Sequence, residues 1–216
     1  QCWARDPEDR GKRSRRKQLP IEEKESMKWL RSYQKVAQVQ RLCPQTTLVS
    51  IGDRESDIYE LFLEAHKDPN GPKLLVRAER TRHRRVETEQ EHLWEFLGRQ
   101  PVALTLKIRV PRRGSQKARD ALIDIRFAKV QLQPPNRSKY PPLEIWGVYV
   151  LEQETTAQGN KPVEWMLLTT AQVDSPQAAQ QRVEWYSGRW GIEVYHRTLK
   201  TCCRIKDRQL ETADGL

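Results

Sequence analysis

The sequence predicts an α/β fold, a layered core of alternating helices and strands interrupted by an antiparallel β-rich module. Two observations lead there. Between residues 21 and 80 the hydrophobic spacing alternates between helical and strand-like, in the order helix, strand, helix, strand. From about Thr81 to Val163 it changes to strict alternation in three runs separated by polar turns, after which a further strand and helical spacing return.

Taken in order, Gln1 to Pro20 is mostly polar, and six of the eight residues in "RGKRSRRK" (10–17) are Lys or Arg. Such a run serves either as a solvated loop or as a phosphate contact. Pro20 suits a first helical turn, Glu22 and Glu23 suit the positive end of the helix dipole, and Leu30, Tyr33 and Ala37 continue an apolar stripe, so a helix is predicted over 21–42. "LVSIGD" is short, apolar and β-branched, as expected of a strand buried on both faces and ending at Gly52-Asp53. In "ESDIYELFLEA" the spacing of Ile58, Leu61, Phe62 and Ala65 is helical, with Ser56 or Asp57 as the cap. "DPNGP" is a turn and "KLLVRAER" the next strand.

The alternating runs are "VALTLKIRV", "ALIDIRFAKVQL" and "LEIWGVYVLEQE", joined through "PRRGSQ" and "QPPNRSKYPP" and followed by "TTAQGNKP". "EWMLLTT" is a further strand, and Ser175-Pro176 opens a helix through "PQAAQQRVEWY". The resulting division is a partial core over 1–80, a β-rich insertion over 81–170 and helices over 171–216.

A net charge of +10 favours a polyanionic partner, nucleic acid before an anionic membrane surface. No apolar run approaches the ~18 residues needed to cross a bilayer, and no signal-peptide pattern opens the chain, so a cytoplasmic protein is expected. Cys2, Cys43, Cys202 and Cys203 lack a CxxC spacing and the four histidines lack an HExxH, which argues against a Cys/His metal site.

Two stretches carry candidate chemistry. In "WYSGRWGIEVYHRTLK", Tyr186, Arg189, Glu193, Arg197 and Lys200 fall at offsets 0, 3, 7, 11 and 14, one face of a continuous helix. Ile192, Val194 and Leu199 would then bury elsewhere, with Trp190 as an anchor. Such a face is either a solvated surface laced by Arg189–Glu193 and Glu193–Arg197 pairs worth ~0.2–0.5 kcal/mol each, or a site where Glu193 ligates a hard cation while the cations and the phenol hold phosphate oxygens. The second stretch, "SIGDRESD", places Asp53 at the tip of a strand just before a helix, where open α/β sheets present functional groups. Its plainer role is capping. Together Asp53 and Glu193 could supply two carboxylates to a divalent-metal site for phosphoryl transfer.

Tyr186, Arg189, Glu193 and Lys200 form a Tyr-x2-Arg-x3-Glu-x6-Lys pattern. With "GDRESDIYE" and "EWMLLTT" upstream, the chain resembles bacterial insertion-sequence transposases of the DDE type, in the insertion-sequence-four and transposon-five group. The resemblance covers roughly residues 46–216 and implies an incomplete ribonuclease-H-like core with a β-rich insertion before the glutamate helix. It implies that Asp53 and Glu193 are two of three carboxylates holding two Mg2+ ions, with Mn2+ as an alternative. By the same resemblance Tyr186, Arg189, Arg197 and Lys200 contact DNA phosphates, Arg77 adds a further DNA contact, and Trp165 stacks on a flipped base, relieving its unstacking. Arg197 stands where the family usually has lysine. Trp165 is otherwise a core tryptophan.

The implied activity is Mg2+-dependent phosphodiester hydrolysis and strand transfer at transposon ends, by a homodimer on double-stranded DNA in the bacterial cytoplasm and nucleoid. No block in residues 1–20 resembles the one holding the family's first catalytic aspartate, and Asp6 and Asp9 do not replace it. An internal fragment with unpaired sheet edges and marginal stability is therefore expected. Two other readings stand beside this one: a catalytically incomplete DNA-binding fragment or inhibitor, and an unrelated basic RNA-binding or ribosomal protein.

Overall fold

A computed structural model describes residues 24–88, 90–110, 118–136, 138–154 and 161–204, apart from the side chains of Trp190 and Glu193. The basic run at 10–17, Pro20, Glu22, Glu23, and most of the "PRRGSQ" and "TTAQGNKP" turns lie outside the described residues.

The first helix, α1, is Met27–Leu42, with Leu30 and Tyr33 buried. Strand β1 (Val49–Gly52) runs into a single 3-10 turn (Arg54–Ser56), then α2 (Tyr59–His66) and β2 (Lys73–Arg77). A short helix α3 (Leu93–Gly98) precedes four strands: β3 (Leu104–Val110), β4 (Arg119–Leu132), β5 (Leu143–Glu152) and β6 (Glu164–Thr169). Two helices follow, α4 (Pro176–Gly188) and α5 (Trp190–Thr201). The chain is thus α/β, as its periodicities predict.

Among the described residues the six strands lie in one sheet ordered β1-β2-β6-β5-β4-β3, in which β1 and β2 are parallel and the other neighbours antiparallel. The strands after residue 81 continue the sheet that β1 and β2 begin. The join is the antiparallel β2–β6 pair, with Leu75 opposite Thr169 and Arg77 opposite Leu167. Alternation along each strand gives the sheet two apolar faces. Leu74, Val76, Val130, Leu132, Ile145, Met166 and Leu168 pack under α1, α2 and α3, whereas Leu75, Ile123, Ile125, Val148, Val150 and Leu167 pack under α4. Gly147 lets α3 sit this close: a Cβ there would fall 2.4 Å from Leu97 Cδ1.

Several local expectations change. β1 is an edge strand in the described sheet, and Val49, Ser50 and Ile51 are half-buried, because β2 covers one side of it only. Neither Ser56 nor Asp57 caps α2, whose N-cap is Ile58; the capping side chain is Asp53, accepting from the Glu55 N–H at the 3-10 turn. Within the described residues α1 starts at Met27, and α3 has no counterpart in the sequence reading. Ser175 does cap α4, its Oγ accepting from the Ala178 N–H at 3.2 Å, with Pro176 at the first helical position. No helix among the described residues is long and apolar enough to cross a membrane.

The stripe from Tyr186 to Lys200 is not one continuous face. Gly188 and Gly191 flank Arg189, where the chain changes to i→i+3 bonding, Arg189 N–H to Tyr186 O at 3.2 Å and Ile192 N–H to Arg189 O at 3.0 Å. Glycine's poor helix propensity accounts for the break. Tyr186 consequently ends α4 inside the core, while α5 leaves the sheet with Ile192 and Val194 47% and 51% exposed rather than buried.

Candidate nucleic-acid interface

The parallel pair β1 and β2 sets the frame. Ile51 pairs with Leu75, and both pack on the α4 side of the sheet. Asp53 keeps an extended backbone (φ −85°, ψ −167°), so alternation carries it two residues beyond Ile51 on that same side, as it carries Arg77 two residues beyond Leu75. Both side chains therefore leave the same end and face of the sheet.

Gly52 allows the chain to fold back at this point. Ser56 Oγ donates to Asp53 O at 2.6 Å, and a Cβ on Gly52 would fall 1.9 Å from that oxygen. Asp53 is half-buried; its Oδ1 accepts from the Glu55 N–H at 3.0 Å, and Oδ2 has no protein partner among the described residues. One oxygen is thus fixed and the other offered, a geometry suited to a cation ligand.

Asp57, four residues on, does a different job. It is fully buried and takes two bonds from Arg84, Nη2 at 2.6 Å and Nε at 3.0 Å, plus the Glu79 N–H at 2.9 Å. Arg84 Nη2 also donates to the Asp57 carbonyl at 2.8 Å. This pair ties the start of α2 to the loop that follows β2.

Arg77 is half-buried and donates to the Glu164 carbonyl at 2.9 Å. Burial pulls its pKa below the ordinary arginine value, Arg54 and Arg189 push it the same way by charge repulsion, and the neighbouring Tyr186 hydroxyl opposes them. Trp165, half-buried on β6, meets Tyr186 edge-to-face with ring centroids 5.4 Å apart, and the Arg189 guanidinium lies 5.6 Å from the Tyr186 ring centroid. Each contact is worth about 0.5–1.5 kcal/mol. Tyr186 itself is 2% exposed, so its ring braces Trp165 and Arg189. Glu164 anchors the start of β6, accepting from Arg80 Nη1 at 2.8 Å and from the Tyr149 hydroxyl at 3.0 Å.

The structure therefore gathers Arg77, Trp165, Tyr186 and Arg189 beside the strand tip that carries Asp53. Arg197 and Lys200 lie farther along α5, exposed, around a shallow groove with His196 and Thr201. Glu193 belongs to α5, and its side chain lies outside those described. Among the described residues no group of three or more His, Cys, Asp or Glu could hold a metal ion, so Asp53 is the one described ligand of the expected set. Arg54, Glu164 and the Asp57–Arg84 pair escape the sequence reading. The basic residue after Asp53 was the available signal for the first; the others depend on contacts between distant segments.

No protein-family model matches the chain.

Proposed function

We propose that the chain is the catalytic-core portion of a DDE-type DNA transposase, performing Mg2+-dependent phosphodiester hydrolysis and strand transfer at transposon ends. The observation that carries this reading is the meeting of Arg77, Trp165, Tyr186 and Arg189, drawn from β2, β6 and the α4–α5 junction, at the end of the sheet where Asp53 leaves β1. The ordered sequence blocks single out the same residues. An α/β sheet with a carboxylate at the tip of a parallel strand also accords with a ribonuclease-H-like core.

In this reading Asp53 and Glu193 hold the divalent ions. When bound, these supply an activated water and neutralise charge on the oxygens of the scissile phosphate. Arg77 and Arg189 hold non-bridging phosphate oxygens, and their charge favours the pentavalent arrangement over the ground state. Tyr186 is a positioning residue, fixing the Trp165 and Arg189 side chains against the sheet. Trp165 offers a stacking partner to a base displaced from the duplex. Arg197 and Lys200, exposed on α5, extend the cationic track along the DNA backbone.

The test is Mg2+-dependent nicking of duplex ends taken from the DNA flanking the coding frame, using the full-length protein. Glu193→Gln and Asp53→Asn should each abolish cleavage while leaving end binding; normal cutting by either variant would overturn the assignment. A second reading, DNA binding without turnover, draws support from the excess of Arg54, Arg77 and Arg189 over Asp53. It predicts the same binding and no metal-dependent product.

A further inference from the structure

Asn70 precedes Gly71 in "DPNGP" (68–72), the connection from α2 to β2. Asparagine is among the chemically labile side chains, and a following glycine, with no Cβ to shield its nitrogen, leaves the amide most open to attack by the chain itself. In that reaction the Gly71 nitrogen gives up its proton to solvent and bonds to Asn70 Cγ, the Cγ–Nδ2 bond breaks, and ammonia leaves with a proton taken from water. Water then opens the resulting five-membered succinimide at either carbonyl, giving aspartate or isoaspartate. The sequence carries the chemistry, and the structure decides when it can run.

Asn70 is exposed and Gly71 buried. Asp68 holds both residues in a tight turn: its carbonyl accepts the Gly71 N–H at 2.9 Å and its Oδ1 the Asn70 N–H at 3.0 Å. The chain on either side is pinned as well, Lys73 Nζ donating to Pro69 O at 2.7 Å and the buried Tyr33 hydroxyl to Pro72 O at 2.6 Å. The attacking atom is thus engaged. Its N–H points at a carbonyl oxygen, which accepts a hydrogen bond but does not remove the proton, and a deprotonated nitrogen in the same place would face that oxygen's negative end. Ring closure also requires Gly71 N to swing toward Asn70 Cγ, which the bond to Asp68 O opposes.

We propose that Asn70 is a self-modifying site gated by this turn: the succinimide forms when the two Asp68 bonds open, so the product records opening of the α2–β2 connection. The inference is independent of the function proposed above. Isoaspartate carries the backbone through the former Asn70 side chain, adding a methylene to the chain three residues before Lys73, which pairs with Val49 in the parallel ladder. It also places a new carboxylate in the same turn as Asp68. Both changes fall on the connection that sets β2 beside β1.

Peptide mapping by mass spectrometry, with isoaspartate resolved from aspartate by chromatography, reads the product at Asn70 in full-length protein held at constant pH and temperature, folded or in urea. In urea Asn70 should convert ahead of Asn136 and Asn160, which precede Arg137 and Lys161. In the folded protein its rate should be lower by about tenfold or more, since the reactive fraction is the one in which both bonds are open. Asp68→Ala, which deletes one of the two acceptors, should raise the folded rate severalfold and leave the urea rate unchanged. Gly71→Ala should suppress the reaction in urea, a readout that needs no folded state. Equal rates folded and in urea, conversion of Asn136 as fast as that of Asn70, or an undiminished urea rate in Gly71→Ala would overturn the site. An Asp68→Ala rate no faster than the parent's would overturn the turn as its gate. Neither readout needs metal, DNA or cleavage, so both stand apart from the nicking test.

Discussion

Asp53 and Asp57 lie four residues apart in one motif, and the structure holds them differently, in a way that a pair of conservative substitutions can separate. Asp57→Asn keeps the shape but removes the charge facing Arg84, a side chain 7% exposed that bonds the carboxylate at 2.6 and 3.0 Å. The amide group of Asn must also point an N–H at one of the donors now bound, either Arg84 or the Glu79 N–H. Breaking a buried pair while leaving the other charge in place costs about 3–5 kcal/mol. At 2–4 °C per kcal/mol for a chain of this length, Tm should fall by roughly 6–20 °C. Asp53→Asn removes no buried partner; its one described bond, from the Glu55 N–H, can still be accepted by the amide oxygen. Its Tm should move by no more than about 2 °C, while metal-dependent cleavage disappears. Differential scanning calorimetry and the nicking assay read the two effects. The double variant Asp57→Leu/Arg84→Met should recover much of the lost stability, since apolar replacement of a buried pair is often neutral. An unchanged Tm in Asp57→Asn, or a double variant as unstable as the single, would refute the structural role assigned to the pair.

Gly52→Ala should cost about 1–3 kcal/mol in a chemical denaturation experiment, because the added methyl meets Ser56 Oγ at the turn that presents Asp53; Ser56→Ala in the same chain should recover part of it. Burial pushes the phenols of Tyr33, Tyr59 and Tyr149 up to about 12. Since the folded values exceed the unfolded value near 10, these groups contribute their stabilisation in full below about pH 10 and lose it as pH rises toward about 12. Ultraviolet titration should show the three ionising later than in denaturant, with Tm falling across that window. Arg54→Gln should raise Tm slightly and weaken duplex binding, measured by calorimetry and by salt-dependent fluorescence anisotropy.

The strands were legible on two signals: "ALIDIRFAKVQL" alternates apolar and polar residues, and "EWMLLTT" is a short apolar run, buried at successive positions in β6. Helix α3 escaped because six residues supply less than two turns of pattern. The edge position of β1 was not readable, since an apolar run states how much it buries and not which strands lie beside it. Gly188 and Gly191 did mark the break at Arg189, but the consequence, Tyr186 inside and Arg197 outside, depends on α4 packing its Ala179 and Val183 face against the sheet. Asp57–Arg84 spans 27 positions. No local spacing reports such a pair.

The convergence at the sheet end also explains why one substitution should move stability and binding in opposite directions. Arg54 and Arg189 both disfavour the charge on Arg77, which burial has already made costly. In the free protein that repulsion is a debt held by the fold, so removing Arg54 relieves it. A phosphate placed among the three reverses the sign of every interaction: each guanidinium then stabilises the anion, and the charge on Arg77 becomes favourable. The same removal now takes away one favourable term.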